Sequence, residues 1–151
     1  VSVRGIIFIN GKLLMIEDDF EEVKLPGGGI DSGEDDYKAL VREVKEETGY
    51  DVILETIVPF GEIEEKRLSL HEPMIWHQFS RLYFCDVYPE KGFCDYTENE
   101  KKHGFRQVFY TLEEALEKNR RMLNEKGQLA WNQREYKTLL LLRDHLSKEA
   151  L

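Results

Sequence analysis

Only two cysteines, Cys85 and Cys94, occur in the 151 residues. That is too few for a disulfide framework or a zinc knuckle, and ordinary thiols in a reducing cytoplasm are the simpler reading. No run of about 18 apolar residues is present, so no membrane-spanning helix is expected. The opening from Val1 to Ile9 lacks a basic region followed by a long apolar stretch and a small-residue cleavage site, so it does not read as a signal peptide. It also lacks Met, and residues before Val1 are expected. No repeat, low-complexity linker or compositional shift divides the chain, so residues 1–151 read as one domain, with the cytoplasm as the default location. Basic residues are in deficit, 21 against 30 acidic ones, for a formal charge of −9. Such a surface repels phosphate backbones and argues against a nucleic-acid polymer as partner. It leaves room for one small polyanion, provided a divalent cation stands between carboxylates and phosphates.

Apolar types make up 41% of the chain and aromatics 11%, enough to build a core and too many for a disordered segment. Gly5 to Ile9 and Lys12 to Ile16 read as two strands of a hairpin joined by Asn10-Gly11, a strong turn signal. A strand from Val23 to Leu25 is expected to stop at Pro26-Gly27-Gly28-Gly29, where a donor is missing and the backbone is free to turn or to approach a neighbour closely. From Glu34 to Thr48 the apolar spacing is helical, with Ser32 or Asp31 as cap and Gly49 as the stop. Val52 to Phe60 and Met74 to Tyr88 read as strands, the second long enough to bend or carry a bulge. Phe105 to Tyr110 reads as another. Thr111 to Glu114 forms a capping box for a short helix reaching about Asn119, and Gln133 to Leu146 has the spacing of an amphipathic helix. Strands interleaved with three helices predict an α+β or mixed-sheet α/β/α architecture.

On the predicted helix, Glu43, Glu46 and Glu47 fall within a sector about 100° wide. Three carboxylates so placed repel one another, and the macrodipole disfavours anions near a helix C-terminus. A bound divalent cation removes both penalties, and an oxygen-only donor set suits Mg²⁺ or Mn²⁺ better than zinc. Taken alone, the helix reads better as a solvated acidic face flanked by Lys38, Arg42 and Lys45, since such faces are common. The glycine run is neither a Walker loop nor a dinucleotide fingerprint. The joint spacing decides the matter. Gly28 is followed by five residues and Glu34, then by seven more and Arg42-Glu43-Val44-Lys45-Glu46-Glu47-Thr48-Gly49-Tyr50.

That stretch resembles the signature of the Nudix hydrolase family, G-x5-E-x7-R-E-U-x-E-E-x-G-U with U aliphatic. All seven fixed residues and the first U match; Tyr50, aromatic at the last position, is the one departure. At roughly 5–7% per residue type, seven matches arise by chance at on the order of 10⁻⁸ per starting position. The resemblance implies a Nudix-like α/β/α sandwich in which a mixed sheet carries a catalytic loop–helix–loop. It implies Mg²⁺-dependent hydrolysis of the pyrophosphate bond in a nucleoside diphosphate linked to another group, with water attacking phosphorus. It also implies roles: Glu46 and Glu47 as metal ligands, Glu43 as ligand or base, the Gly28 carbonyl in the metal shell, Arg42 holding the glutamates, and Glu34 pairing with Arg42 or reaching a metal through water. Many members of the family draw a further acid from a loop outside the signature. Glu98 and Glu100 stand at the corresponding place, in a stretch that also reads as a plain polar loop. Dimers are common in that family, although no feature of this sequence demands one.

The remaining residues carry weaker signals. His71 and His77 lack metal-ligand spacing and read as surface or strand positions. Arg67, Arg81, Trp76 and Phe79 suit contacts to a phosphate or base, but strand alternation around Trp76 explains the aromatics better as core. Asn132-Gln133-Arg134-Glu135 reads as a helix cap rather than a substrate contact. The rival to an enzyme is a catalytically inactive nucleotide-binding regulatory module on the same fold, which would be free to lose Glu43, Glu46 or Glu47. Isomerase or DNA-repair chemistry on that fold normally needs groups or domains not visible here.

Overall fold

The computed structural model describes residues 1–68, 75–126 and 130–149. His71 and Met74 lie outside them, and the side chains of Arg67 and Trp76 are likewise not described.

The strand Ser2–Ile6 (β1) lies beside Ile75–Phe84 (β8) in parallel, while Gly27–Gly29 (β5) and Val58–Leu68 (β7) flank the pair antiparallel, in the order β5-β1-β8-β7. A second sheet holds Phe8–Ile9 (β2), Lys12–Glu17 (β3), Val23–Lys24 (β4) and Arg106–Tyr110 (β10), all paired antiparallel to β3. Tyr50–Val52 (β6) and Val87–Lys91 (β9) form a small third ladder. The helix Asp36–Thr48 (α1) packs on one side, against β1, β5 and β6. The helices Leu112–Lys126 (α3) and Ala130–Glu149 (α4) pack together on the other.

Two cores follow from strand alternation. Val3, Ile7 and Leu14 turn toward α1 and meet Ala39, Leu40 and Val44. Ile6, Leu13 and Met15 turn the opposite way and meet Leu116, Leu139 and Leu142 of the helix pair. Burial on both faces explains the near-continuous apolar run of β3 from Leu13 to Ile16. The α/β/α arrangement with a mixed sheet matches the expected fold class.

The hairpin forms as read, with Asn10 at φ 53° and Gly11 at φ 78° supplying the paired left-handed residues of its two-residue turn. Its first strand, however, is shared between sheets. At Ile7 the chain leaves β8 and joins β3, the Ile7 carbonyl accepting from Leu14 N–H at 2.9 Å. The glycine run is also more than a turn: Gly27, Gly28 and Gly29 pair with Arg4, Val3 and Ser2. The expected strand Val52–Phe60 is interrupted by a 3₁₀ turn at Leu54–Thr56, because the Thr56 hydroxyl donates to the Ile53 carbonyl at 2.6 Å and accepts from Asp86 N–H at 2.8 Å. The long strand expected to end at Tyr88 breaks at Cys85–Asp86 and resumes as β9. Both cysteines are free, and burial pushes the Cys85 thiol up to about 12.

Helix ends differ from the expectation in instructive ways. The cap of α1 is Asp35, which accepts from Lys38 N–H at 2.8 Å, rather than Ser32 or Asp31. Glu34 stays outside the helix, taking Asp31 N–H at 2.8 Å and the Arg42 guanidinium. Gly49 ends α1 at φ 80°, where a Cβ would meet the Gly92 carbonyl at 2.4 Å. The capping box at Thr111 and Glu114 is present, but α3 continues to Lys126 because Met122 buries a further turn and Asn119 donates to the Ala115 carbonyl. Asn132 does not cap α4: the helix begins at Ala130, and Asn132 is buried inside it.

Candidate active site

The signature residues gather where the C-terminal half of α1 crosses the edge formed by β5. Arg42 organises them. Its Nε and Nη2 donate to the two oxygens of Glu34 at 2.7 and 2.9 Å, a fork-to-fork pair, and Nη2 also donates to the Gly29 carbonyl at 3.0 Å. Its Nη1 donates to Glu43 at 2.9 Å and to Glu46 at 3.3 Å. The hydrogen bonds to Arg42 and to Asp31 N–H hold the Glu34 carboxyl at about 2. In return Glu34 and Glu43 drive the Arg42 guanidinium further up.

Glu47 points inward and is 3% exposed. One of its oxygens accepts Gly27 N–H at 2.7 Å. Burial pushes its carboxyl up to about 7, against the pull of that hydrogen bond and of Arg4 and Lys24. Burial also raises Glu43, where Arg42 opposes the shift and Glu46 and Glu100 add to it. Gly28 faces Glu43 so closely that a Cβ there would sit 2.7–2.8 Å from the carboxylate atoms. Only glycine lets the β5 backbone approach that carboxylate.

The donor set of three carboxylates and a neighbouring carbonyl is oxygen-only, the chemistry that suits a hard divalent cation. Two of the carboxylates are raised, burial being the main cause, and a bound cation would favour their charged forms. Among the described residues, however, no group of three or more His, Cys, Asp or Glu side chains stands assembled to hold a metal ion. Arg42 bridges Glu43 and Glu46 instead. The groups are at hand; the guanidinium holds two of them and Gly27 N–H holds Glu47.

The stretch expected as a polar loop after β9 contains a helical turn, Glu98–Lys102 (α2), with its own capping box: Glu100 accepts Thr97 N–H at 2.8 Å, and Thr97 accepts Glu100 N–H at 3.1 Å. Glu98 is solvent-exposed and pairs with Lys101 at 3.4 Å, whereas Glu100 is near enough to push Glu43 upward. Just before this turn the chain straps the end of α1. Asp95 N–H donates to the Glu46 carbonyl at 2.6 Å, and Tyr96 hydroxyl and Cys94 thiol donate to the Glu47 carbonyl at 2.7 and 3.4 Å. These contacts satisfy carbonyls that a helix end leaves bare.

Several candidates lie elsewhere. Arg81 and Tyr83 bond the Asp36 carboxylate at the other end of α1, Arg81 at 2.7 Å. Phe79 is half-buried against the His77 ring, 4.5 Å between centroids, and joins neither core; exposed His77 pairs with Glu64. Arg4, Tyr96 and Glu135 were not marked out by the sequence as functional. For Arg4 a signal existed, since a charged residue inside the apolar run Val1 to Ile9 must be buried with partners.

The comparisons with known proteins bear on the family and the fold. Residues 1–132 match the family described as NUDIX domain. A Bacillus subtilis (strain 168) protein named "Putative ADP-ribose pyrophosphatase YjhB" is 26% identical over 92 residues, 60% of this chain and 43% of that protein, so the match spans less than half of the relative's length. The crystal structure of a MutT NUDIX hydrolase from Burkholderia pseudomallei superposes with a TM-score of 0.59 at 17% identity, over 75% of this chain and 83% of the other. That of an ADP compounds hydrolase gives 0.59 at 22% identity, over 98% and 73%. At such identities the structural likeness concerns the fold. With most of its length matched, and with the signature helix set against the glycine strand, the chain belongs to the Nudix domain family.

Proposed function

We propose that the chain is a pyrophosphohydrolase that cleaves a nucleoside diphosphate derivative with the help of Mg²⁺, or of Mn²⁺ in its place. The observation that carries this reading is that Arg42 gathers Glu43 and Glu46 while Gly27 N–H holds Glu47 beside them, at the edge where Gly28 lies bare. Glu46, Glu47 and Glu43, with the Gly28 carbonyl, are the groups that would hold the cation; Glu34 serves Arg42, and Glu100, bonded to Thr97 N–H, adds negative charge near Glu43. When bound, the cation offsets phosphate charge, polarises the bridging oxygen and lowers the pKa of water.

The chain's own residues do the rest. Arg42 keeps the carboxylates in one orientation, and carboxylates on a helix are placed more accurately than on a loop. One of them accepts the proton as water oxygen bonds to phosphorus; the bond from phosphorus to the bridging oxygen breaks, and the leaving phosphate takes up the electron pair. The name of the Bacillus relative makes ADP-ribose a first substrate to try, beside nucleoside triphosphates, dinucleoside polyphosphates and sugar nucleotides.

The test is a substrate panel with Mg²⁺ or Mn²⁺, read by release of nucleoside monophosphate, on the parent and on Glu46→Gln and Glu47→Gln. The expected result is turnover in the parent and a loss of at least about 100-fold in both variants with the melting transition retained. Unchanged kcat in both variants removes the assignment. No turnover on any substrate, together with no cation binding, leaves a nucleotide-binding regulatory module as the reading.

A further inference from the structure

The family match ends at residue 132, inside the first turn of α4, yet the next residues of that helix reach back into the site. Glu135 is 1% exposed, and one of its oxygens accepts Leu25 N–H at 3.2 Å. Its other oxygen accepts from Arg134 Nη2 at 3.4 Å, while Arg134 Nη1 donates to Glu65 of β7 at 3.0 Å. From the other side, Arg4 Nη1 donates to the Leu25 and Gly27 carbonyls at 3.3 and 3.2 Å. Gly27 N–H then donates to Glu47 at 2.7 Å. A buried path of hydrogen bonds thus leads from α4 through three residues of backbone to a signature carboxylate.

The place where Glu135 acts explains the need for it. Leu25 and Pro26 lie between β4, which belongs to one sheet, and β5, which belongs to the other. Leu25 N–H is left to neither ladder, and a buried donor without an acceptor is costly. A carboxylate answers that donor and also balances the buried guanidiniums of Arg4 and Arg134. Buried ion pairs are weak contributors to stability, so five buried charges, Arg4, Glu47, Glu65, Arg134 and Glu135, joined to one another or to the Leu25–Gly27 backbone, point to a role in placement.

We propose that Glu135 is a positioning residue for Glu47, fixing the Leu25–Gly27 backbone from a helix that lies largely outside the matched domain. Its kinetic consequences rest on the pyrophosphohydrolase reading; its structural consequences do not. In Glu135→Gln the side-chain carbonyl still accepts Leu25 N–H, and Mn²⁺ half-saturation, read by water-proton relaxation, stays within about threefold of the parent. In Glu135→Leu half-saturation rises at least about tenfold, kcat falls by a similar factor with KM changed less than about threefold, and amide exchange speeds up at Leu25 and Gly27 but not at Val3. A uniform rise in exchange across β1, β5 and β8 would mark general loosening and overturn the proposal. So would a folded Glu135→Leu that binds Mn²⁺ and exchanges like the parent. Should Glu135→Leu fail to fold, Arg134→Lys, which keeps the charge but loses the fork, is expected to shift Mn²⁺ half-saturation and the same two amides about threefold; unchanged values there overturn it equally. A parent protein that hydrolyses no pyrophosphate refutes the activity alone, and amide exchange still decides the positioning.

Discussion

Replacing each glycine of the run Gly27-Gly28-Gly29 by alanine gives three different outcomes from one added methyl group. At Gly27, φ is 152°, a region L side chains avoid, and a Cβ would stand 2.0 Å from the Val3 carbonyl oxygen and 2.8 Å from Arg4 Cα. Both obstacles are backbone of β1, so relief requires β5 to move off its neighbour by more than about 1 Å. Overpacking costs about 1–3 kcal/mol, and weakening the Gly27 N–H bond to Glu47 costs about 1.5–3 kcal/mol more. The sum, about 2.5–6 kcal/mol, lowers Tm by about 5–24 °C in a chain of this size. At Gly28 the obstacle is the tip of the Glu43 side chain, which can swing aside. Stability there falls by about 1 kcal/mol or less, while cation-dependent turnover is lost with the displaced carboxylate. At Gly29 nothing lies within 4 Å, and alanine leaves Tm unchanged or raises it slightly by restricting the unfolded chain. Scanning calorimetry and nucleoside monophosphate release on the three variants separate these outcomes. A Gly27→Ala protein melting within about 2 °C of the parent, or a Gly29→Ala protein as damaged as Gly27→Ala, would refute the reasoning.

Arg42→Lys keeps the charge but loses the fork that spans Glu34, Glu43 and Glu46; kcat is expected to fall at least about tenfold with little change in Tm, and a parental kcat would show that Arg42 does not place the carboxylates. Glu17 is buried, which raises its pKa, but Lys118 at 2.7 Å, Tyr110 at 2.8 Å and Arg106 at 3.0 Å outweigh that and leave it lowered. A lowered carboxyl stabilises the fold above its unfolded value of 4.5 and loses that contribution as pH falls through its folded value, so the Tm advantage of the parent over Glu17→Gln should shrink below about pH 4; parallel curves would refute it. Leu40→Ala and Leu139→Ala, each wholly buried but in different cores, should each cost about 2–5 kcal/mol, with urea midpoints falling accordingly; a loss under about 1 kcal/mol at either would mean that core collapses around the gap.

The signature segment was the most legible part of the chain because its residue types are fixed by chemistry and its spacing by the helix. Glu43, Glu46 and Glu47 share one turn region of α1, and Gly49 ends it, as periodicity requires. The start of the helix was misplaced because Asp31, Ser32 and Asp35 are all competent caps, and only the pull of Arg42 on Glu34 excludes the earlier ones. Strand ends were misjudged where one apolar run serves two sheets: nothing in Gly5 to Ile9 records that pairing changes at Ile7. The stretch Asn132 to Glu135 was misread because polar residues at a helix start usually cap it. Here Arg134 and Glu135 are buried partners of residues 69 and 110 positions away, a separation no local pattern records.

The signature helix is moored at both ends. Asp36 is tied to Arg81 and Tyr83 of β8, and the last turn is tied to Asp95 and Tyr96. A rod tethered fore and aft can neither slide along its axis nor roll without tearing one set of lashings. Adjustment to a guest therefore falls to the swing of glutamate and arginine side chains and to the segments around the helix, leaving the rod itself as a stationary bench.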